Sequence, residues 1–160
     1  MVLSRLGKTV MAPALALLLM TSHSRAGPQY VDGAALSGYD AVAYQTDGVV
    51  IRGEPTITAD WNGAIWRFAT PAHAKQFQAN PARYAPAYDG HCAYAVSEGR
   101  KSAGLPEFWQ VAGGRLFLHC SKIALDKWTA EFDTRLARAE ENWRTLEAEP
   151  ASRPAQSPPS

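Results

Sequence analysis

Apolar and polar positions alternate through the middle of the chain with a period of two, interrupted by turn-forming residues. This alternation between Gly, Asn and Asp turn signals is typical of β-hairpins. The three predicted hairpins cover residues 39–51, 56–68 and 108–120 and turn at Thr46-Asp47-Gly48, Asn62-Gly63 and Gly113-Gly114. The second hairpin is the clearest of the three, because an Asn-Gly pair suits a type I′ turn.

Helical periodicity of three to four residues appears in two places. Thr70-Pro71 supplies an N-cap and a first helical residue, and His73 and Phe77 share one face of the short helix that follows. Asn80-Pro81 ends that helix and can cap one further turn. Ser121 caps a long amphipathic helix whose apolar stripe consists of Leu125, Trp128, Phe132, Leu136, Ala139, Trp143 and Leu146. We expect this stripe to face the core rather than a partner protein.

These elements predict a small single α+β domain of antiparallel hairpins, with a short capped helix and a long C-terminal amphipathic helix. The domain is assigned to residues 38–146, after a polar lead-in segment at 27–37. Residues 85–106 are punctuated by Gly and Pro and are predicted to form a loop. Residues 147–160 are rich in Pro, Ser and Ala without apolar periodicity, which predicts a disordered tail. The length of 160 residues suits one domain, and the sequence shows no repeat.

Residues 1–26 have the pattern of a cleaved secretory signal peptide. Arg5 and Lys8 precede an apolar run at 9–20, and Ser24-Arg25-Ala26 presents small residues at the positions that a signal peptidase reads. The run is too short to cross a bilayer comfortably, which takes about 20 apolar residues. We therefore expect a periplasmic or secreted protein with no stable membrane anchor after cleavage.

Charge and missing motifs argue against several functions. The chain carries 16 Lys+Arg and 15 Asp+Glu, and cleavage of the signal peptide would remove basic residues only. The remaining chain is slightly negative and has no basic cluster, so nucleic acid is not an expected partner. It also contains no nucleophile elbow, zinc-protease helix, phosphate-binding glycine loop or C-x-x-C motif. A non-enzymatic protein is favoured, although the sequence leaves this question open.

Two His-Cys dipeptides carry the candidate chemistry, His91-Cys92 and His119-Cys120. Thiolate and imidazole groups are good ligands for zinc and copper. The candidate metal ligands are therefore Cys92, His91, His119, Cys120 and His73, which would hold one transition-metal ion, Cu or Zn. If His119-Cys120 lies in a strand, its two side chains point to opposite faces, and only one of them can reach a shared ion.

The two cysteines also allow other interpretations. In an oxidising compartment, two thiols in one small domain commonly pair. A Cys92–Cys120 disulfide would close a loop of about 29 residues and stabilise the fold by roughly 3–4 kcal/mol. Alternatively, both thiols are buried and unpaired. A redox or nucleophilic Cys92 would require a lowered thiol pKa in an exposed cleft.

Several segments, in order, resemble the secreted YHS domain-containing proteins, relatives of the YHS domain-containing selenoproteins. The segments that carry this resemblance are GYDAVAY (38–44), WRFA (66–69), NPARY (80–84), YDGHCAYAVS (88–97) and RLFL (115–118), followed by Ser121-Lys122. Together they extend over residues 38–143. The resemblance implies a small α+β module with a role near transition metals.

The resemblance also bears on individual residues. Cys92 matches the Gly-x-Cys-Ala pattern of the secreted group, whereas Cys120 stands where that group more often has an aromatic residue. Residues 68–73 lack the thiol that metal-associated YHS modules carry near the strand-to-helix junction. The resulting hypothesis is a periplasmic protein that binds a metal ion or serves metal homeostasis. The alternative is a non-enzymatic interaction module with structural cysteines, whose partner would be an envelope protein.

Overall fold

Two β-hairpins, each preceded by a short helix and followed by a capped one, form the body of the domain. The structure, a computed structural model, describes residues 33–148. The predicted signal peptide at 1–26, residues 27–32 of the lead-in and residues 149–160 of the tail lie outside the described residues. The fold is a small α+β domain, as predicted, with two separate two-stranded antiparallel sheets and a long final helix.

The same series of six elements occurs twice along the described chain. The first half contains a 3-10 turn (Ala35–Gly38), α1 (Ala43–Thr46), β1 (Glu54–Trp61), β2 (Ala64–Phe68), α2 (Pro71–Ala79) and α3 (Pro81–Tyr84). The second half contains a 3-10 turn (Ala87–Gly90), α4 (Ala93–Ser97), β3 (Leu105–Ala112), β4 (Arg115–His119), α5 (Lys122–Ala130) and α6 (Phe132–Leu146). The hairpins predicted at 56–68 and 108–120 are confirmed.

Matching positions in the two halves have matching backbone roles. Both 3-10 turns contain two left-handed residues before a left-handed glycine, Gly38 in one half and Gly90 in the other. Both hairpins shift register early in their first strand. Helices α2 and α5 are both nine residues long, and the hydroxyls of Thr70 and Ser121 cap them as predicted. Only short stretches of the sequence reflect the repeat, because the two halves share backbone requirements while most side chains differ.

The hairpin predicted at 39–51 is wrong, because Ala43–Thr46 form helix α1. The cause is the Asp40 carboxylate. Its Oδ1 accepts the backbone N–H groups of Val42 and Ala43 at 2.9 and 3.3 Å and thereby closes a helical turn. Val42 is fully buried in this conformation. Local hydrogen bonding and burial together outweigh the β propensity of the segment.

The loop predicted at 85–106 is also partly wrong, because it contains the 3-10 turn Ala87–Gly90 and the helix Ala93–Ser97. Ala93 and Val96 on this helix are fully buried. A helix of five residues is too short to show a period in the sequence. Its helical conformation depends on packing against the rest of the domain.

The long helix predicted after Ser121 is two helices. Glu131 leaves the helical conformation between α5 and α6 (φ −128°, ψ 37°). Arg135 stabilises this break, because its Nε donates to the backbone carbonyl of Lys127 in the last turn of α5 at 3.0 Å. The predicted apolar stripe continues across the break and, apart from Leu125, packs in one cluster of the core.

Strand β4 separates the two main apolar clusters of the domain. Leu116 and Leu118 on one face belong to a cluster with the aromatic side chains of the first half. Phe117 on the opposite face packs with Trp128 and the rest of the α5–α6 stripe. This alternation follows from the two-residue period of a strand. The same alternation determines which of the two clusters each residue at the end of β4 faces.

Two glycines at matching positions allow the backbone of each half to approach its hairpin closely. A Cβ atom on Gly53 would lie 2.3 Å from the carbonyl carbon of Arg67. A Cβ atom on Gly104 would lie 2.5 Å from the Cβ of Leu118 and 2.7 Å from the backbone oxygen of Gly90. Both contacts are much shorter than van der Waals distances, and backbone atoms cannot rotate away.

We therefore expect Gly53→Ala and Gly104→Ala each to lower the free energy of unfolding by about 1–3 kcal/mol or more. Urea denaturation followed by circular dichroism would measure the loss. Ser102→Ala is the control, because it adds no atom near Gly53 or Gly104. Its free energy of unfolding should differ from that of the wild type by no more than about 0.5 kcal/mol. An unchanged midpoint for either glycine variant would contradict the close approach.

Candidate functional site

Cys92 and Cys120 meet in the second half of the domain. Cys92 is fully buried and immediately precedes α4, whereas Cys120 follows β4 and is partly exposed. Cys92 forms a parallel bridge with Leu118, and Cys120 is two residues further along the same chain. Because residues two apart on an extended strand point to the same face, Cys120 lies on the same face as Leu118, beside Cys92. The two thiols are free, and Cys120 packs against the small buried cluster that contains Cys92.

The sulfur of Cys92 lies in a pocket of backbone N–H groups. The backbone N–H groups of Ala95 and Cys120 lie close enough to this sulfur to lower the pKa of its thiol. Both donors favour a negative charge on the sulfur. One arrives from the first turn of α4 and the other from the end of β4, so two separate elements build the pocket.

The matching pocket in the first half holds a carboxylate. Asp40 is fully buried, and its oxygens accept the backbone N–H groups of Val42, Ala43 and Ala69. Ala43 and Ala69 occupy the positions that correspond to Ala95 and Cys120 in the second half. Cys92 therefore occupies the position that holds an anion in the other half of the molecule.

Burial opposes the charge that these N–H groups favour. Desolvation raises the pKa of the Cys92 thiol to about 11, and the neighbouring Cys120 thiol acts in the same direction, whereas the two backbone N–H groups lower this pKa. Cys92 is therefore protonated at neutral pH. The lowered pKa and exposed cleft required for a nucleophilic Cys92 are not found.

His73 contacts two aspartates of the first half rather than the thiols of the second half. Its Nδ1 donates to Oδ2 of Asp40 at 2.7 Å, and its Nε2 lies 3.5 Å from Oδ2 of Asp47. At the matching position in the second half, Ala124 packs directly against Cys92. His73 thus serves as the partner of the buried Asp40 carboxylate in the first half.

His91 and His119 are buried against tryptophans of the C-terminal helices. Nδ1 of His91 donates to the backbone oxygen of Tyr88 at 2.8 Å, and its ring centre lies 5.5 Å from that of Trp143. The ring of His119 lies 5.5 Å from that of Trp128. Nε2 of His91 and both ring nitrogens of His119 have no hydrogen-bond partner within residues 33–148. Burial lowers the pKa of both rings, to about 4 for His119, so both are neutral.

Of the five candidate ligands, only the two cysteines are seen to contact each other. His119 faces Trp128, while Cys120 packs with Cys92, as the strand alternation predicts for this dipeptide. Across the described part of the chain, no group of three or more His, Cys, Asp and Glu side chains is arranged to hold a metal ion. The two thiols are therefore the candidate ligands that the structure brings together.

Sequence reasoning missed the buried Asp40–His73 pair. Asp40 was one of several scattered carboxylates, with nothing to distinguish it from the others. The available signal is an internal similarity: Gly38-Tyr39-Asp40-Ala41 and Gly90-His91-Cys92-Ala93 share their glycine and alanine positions. Alignment of these two segments would have placed Asp40 and Cys92 in equivalent pockets.

A cavity of about 260 Å³ lies between the two halves of the domain. Its apolar wall includes Trp61 and Trp66 of the first hairpin. Its polar wall includes Arg83, Asp89 and Arg115, from α3, the second 3-10 turn and β4. This cavity was not predictable from the sequence, because its walls come from segments distant along the chain.

Comparison with known proteins adds no assignment. The chain matches no protein-family model, no curated protein and no solved structure. Within residues 33–148, no helix has the length and apolar character needed to cross a membrane. The class that the structure defines is a small α+β domain with an internal structural repeat and a pair of neighbouring free thiols, one buried and one partly exposed.

Proposed function

We propose that this chain is a periplasmic or secreted copper-binding protein of the YHS type, which holds one Cu(I) ion between Cys92 and Cys120. The observation that carries the proposal is the contact between the two thiols, with Cys92 in a pocket equivalent to that of the Asp40 carboxylate. Thiolates are soft ligands that suit Cu(I), zinc and iron–sulfur clusters. Cu(I) is stable with two thiolates in a linear arrangement, whereas structural zinc takes four ligands.

The surroundings of the two sulfurs suit a bound ion of this kind. The N–H groups of Ala95 and Cys120 would offset the negative charge of a two-thiolate complex, as hydrogen bonds around metal ligands commonly do. Cys120 is partly exposed, which gives an ion access from solvent. Cys92 is buried, so that an ion held between the two sulfurs is shielded on one side.

Proton release provides a first test. Because the pKa of Cys92 is raised to about 11, a metal ion that binds at neutral pH must displace its proton. We expect the affinity for Cu(I) to rise by at least about tenfold per pH unit between pH 6 and 9. Anaerobic titration of the reduced protein against a chromogenic Cu(I) chelator would measure this slope. A pH-independent affinity would contradict coordination by Cys92.

Variants identify the ligands. Cys92→Ser and Cys120→Ser should each weaken Cu(I) binding by at least about 100-fold, since each removes one of only two ligands. His119→Phe is the matched control, because His119 is adjacent to Cys120 but faces Trp128; it should bind Cu(I) like the wild type. Native mass spectrometry should find one copper per chain. Equal uptake of zinc, or an unaffected Cys120→Ser variant, would sink the proposal.

The second candidate function is an envelope interaction module whose cysteines form a structural disulfide. The direct contact between the thiols favours this alternative as well, if the protein is exported to an oxidising compartment. Mass spectrometry of protein recovered from the periplasm separates the two. A chain two hydrogens lighter that binds no Cu(I) after reduction supports the interaction module. Free thiols with bound copper support the metal-binding function.

A further inference from the structure

The cavity between the two halves has an aromatic wall. The rings of Trp61 and Trp66 lie 5.8 Å apart at their centres, inclined by 57°. Nε1 of Trp66 donates to the backbone oxygen of Trp61 at 3.2 Å, so this indole is held in place by a hydrogen bond. Leu36 and Ala64 complete the apolar side. A flat apolar group that entered this space would replace water against a preformed surface.

The cavity lining also carries a charge that the protein does not neutralise. The guanidinium of Arg83 contacts the ring of Tyr84 but forms no ion pair with any residue between 33 and 148. Arg115 is held by Glu140, with Nη1 2.9 Å from Oε1. Arg83 is therefore the cation available to a ligand. Asp89 lines the same wall and would repel a second negative charge on that ligand.

Unusual backbone geometry frames the cavity from both halves. Leu36 (φ 53°) in the first 3-10 turn and Asp89 (φ 52°) in the second both line it in left-handed conformations. Residues other than glycine rarely adopt the left-handed conformation, and leucine adopts it more rarely than asparagine or aspartate. Such conformations concentrate at ligand-binding sites, where the surrounding structure maintains them. The two repeated turns thus meet at one cavity.

We infer that this cavity binds a small monocarboxylate with a flat apolar body. The body would lie against Trp61 and Trp66, and the carboxylate would pair with Arg83. At about 260 Å³, the cavity lies just below the volumes typical of sites for drug-sized ligands, which favours a small ligand. The cavity lining includes neither cysteine, so this site is distinct from the thiol pair.

Isothermal titration calorimetry with phenylacetate and with its uncharged analogue phenylacetamide tests the carboxylate. The acid should bind at least about tenfold more tightly than the amide, and Arg83→Gln should remove that preference. Arg100→Gln, which removes an exposed arginine that does not line the cavity, should retain it. Equal binding of acid and amide, or an unaffected Arg83→Gln variant, would overturn the inference.

Two further measurements locate the site and define the ligand. Ala82→Leu, at an exposed position on the cavity rim, should abolish binding by filling the space without disturbing the core. Phenylalanine should bind more weakly than phenylacetate. Tighter binding of phenylalanine, reversed by Asp89→Asn, would overturn the monocarboxylate class in favour of a zwitterion. The double variant Cys92→Ser, Cys120→Ser should bind phenylacetate normally, so failure of the copper proposal and failure of this one are distinguishable.

Discussion

Replacement of Asp40 by alanine is expected to lower the free energy of unfolding by about 3–5 kcal/mol. The carboxylate is fully buried and accepts the backbone N–H groups of Val42 and Ala69 at 2.9 and 2.8 Å. It also accepts Nδ1–H of His73 at 2.7 Å. Alanine would leave these donors buried without partners, which costs more than the original hydrogen bonds contributed. Urea denaturation at neutral pH would measure the difference.

A second carboxylate beside the same imidazole supplies the control. Oδ2 of Asp47 lies 3.5 Å from Nε2 of His73, but this side chain is about half exposed. Asp47→Asn should therefore change stability by no more than about 0.5–1 kcal/mol. Asp40→Asn, which keeps the shape and some of the accepting oxygens, should fall between the two. A loss below about 1 kcal/mol for Asp40→Ala would contradict the anion-pocket interpretation.

His119→Phe is expected to make the metal-free protein more resistant to acid. Burial lowers the pKa of His119 to about 4, against about 6.5 in the unfolded chain. Between these values the unfolded state binds a proton that the folded state does not, so stability falls as the pH falls from 6.5 to 4. The total loss attributable to this residue is about 3 kcal/mol, and phenylalanine cannot titrate.

The repeat itself indicates that phenylalanine fits this place. Phe68 is the residue that corresponds to His119 in the first half, and each ends the second strand of its hairpin. Urea denaturation at pH 7.5 and pH 4.5 would measure the difference between wild type and variant. We expect the variant to be the more stable at pH 4.5 by a larger margin than at pH 7.5. Equal margins at both pH values would show that His119 does not titrate on unfolding.

Elements with short-range signals were predictable from the sequence. The Asn62-Gly63 turn, the Gly113-Gly114 turn and the caps at Thr70 and Ser121 all lie where local residue chemistry places them. Each depends on conformational preferences or hydrogen bonds within a few residues. The prediction for residues 43–46 was wrong although its signal is also local. The hydrogen bonds that close α1 come from the Asp40 side chain, but the β propensity of the segment obscured this signal.

The candidate site was predictable only in its residue types. The sequence pointed to five His and Cys ligands, but which of them share a face depends on how distant segments pack. Cys92 meets Cys120 because the start of α4 bridges to β4 at Leu118. His119 is turned toward Trp128 by the alternation of that same strand. The approach of the two thiols therefore follows from tertiary contacts.

The sequence by itself determined the α+β class, two of the three predicted hairpins, the helix caps and the inward-facing stripe of the last helices, because these arise from local preferences and apolar periodicity. Only the tertiary structure decided the duplication of the fold, the matching pockets of Asp40 and Cys92, and the cavity between the halves. These features depend on contacts between residues far apart along the chain. Such contacts are selected by burial of apolar surface and by the pairing of buried polar groups, which no local segment specifies alone.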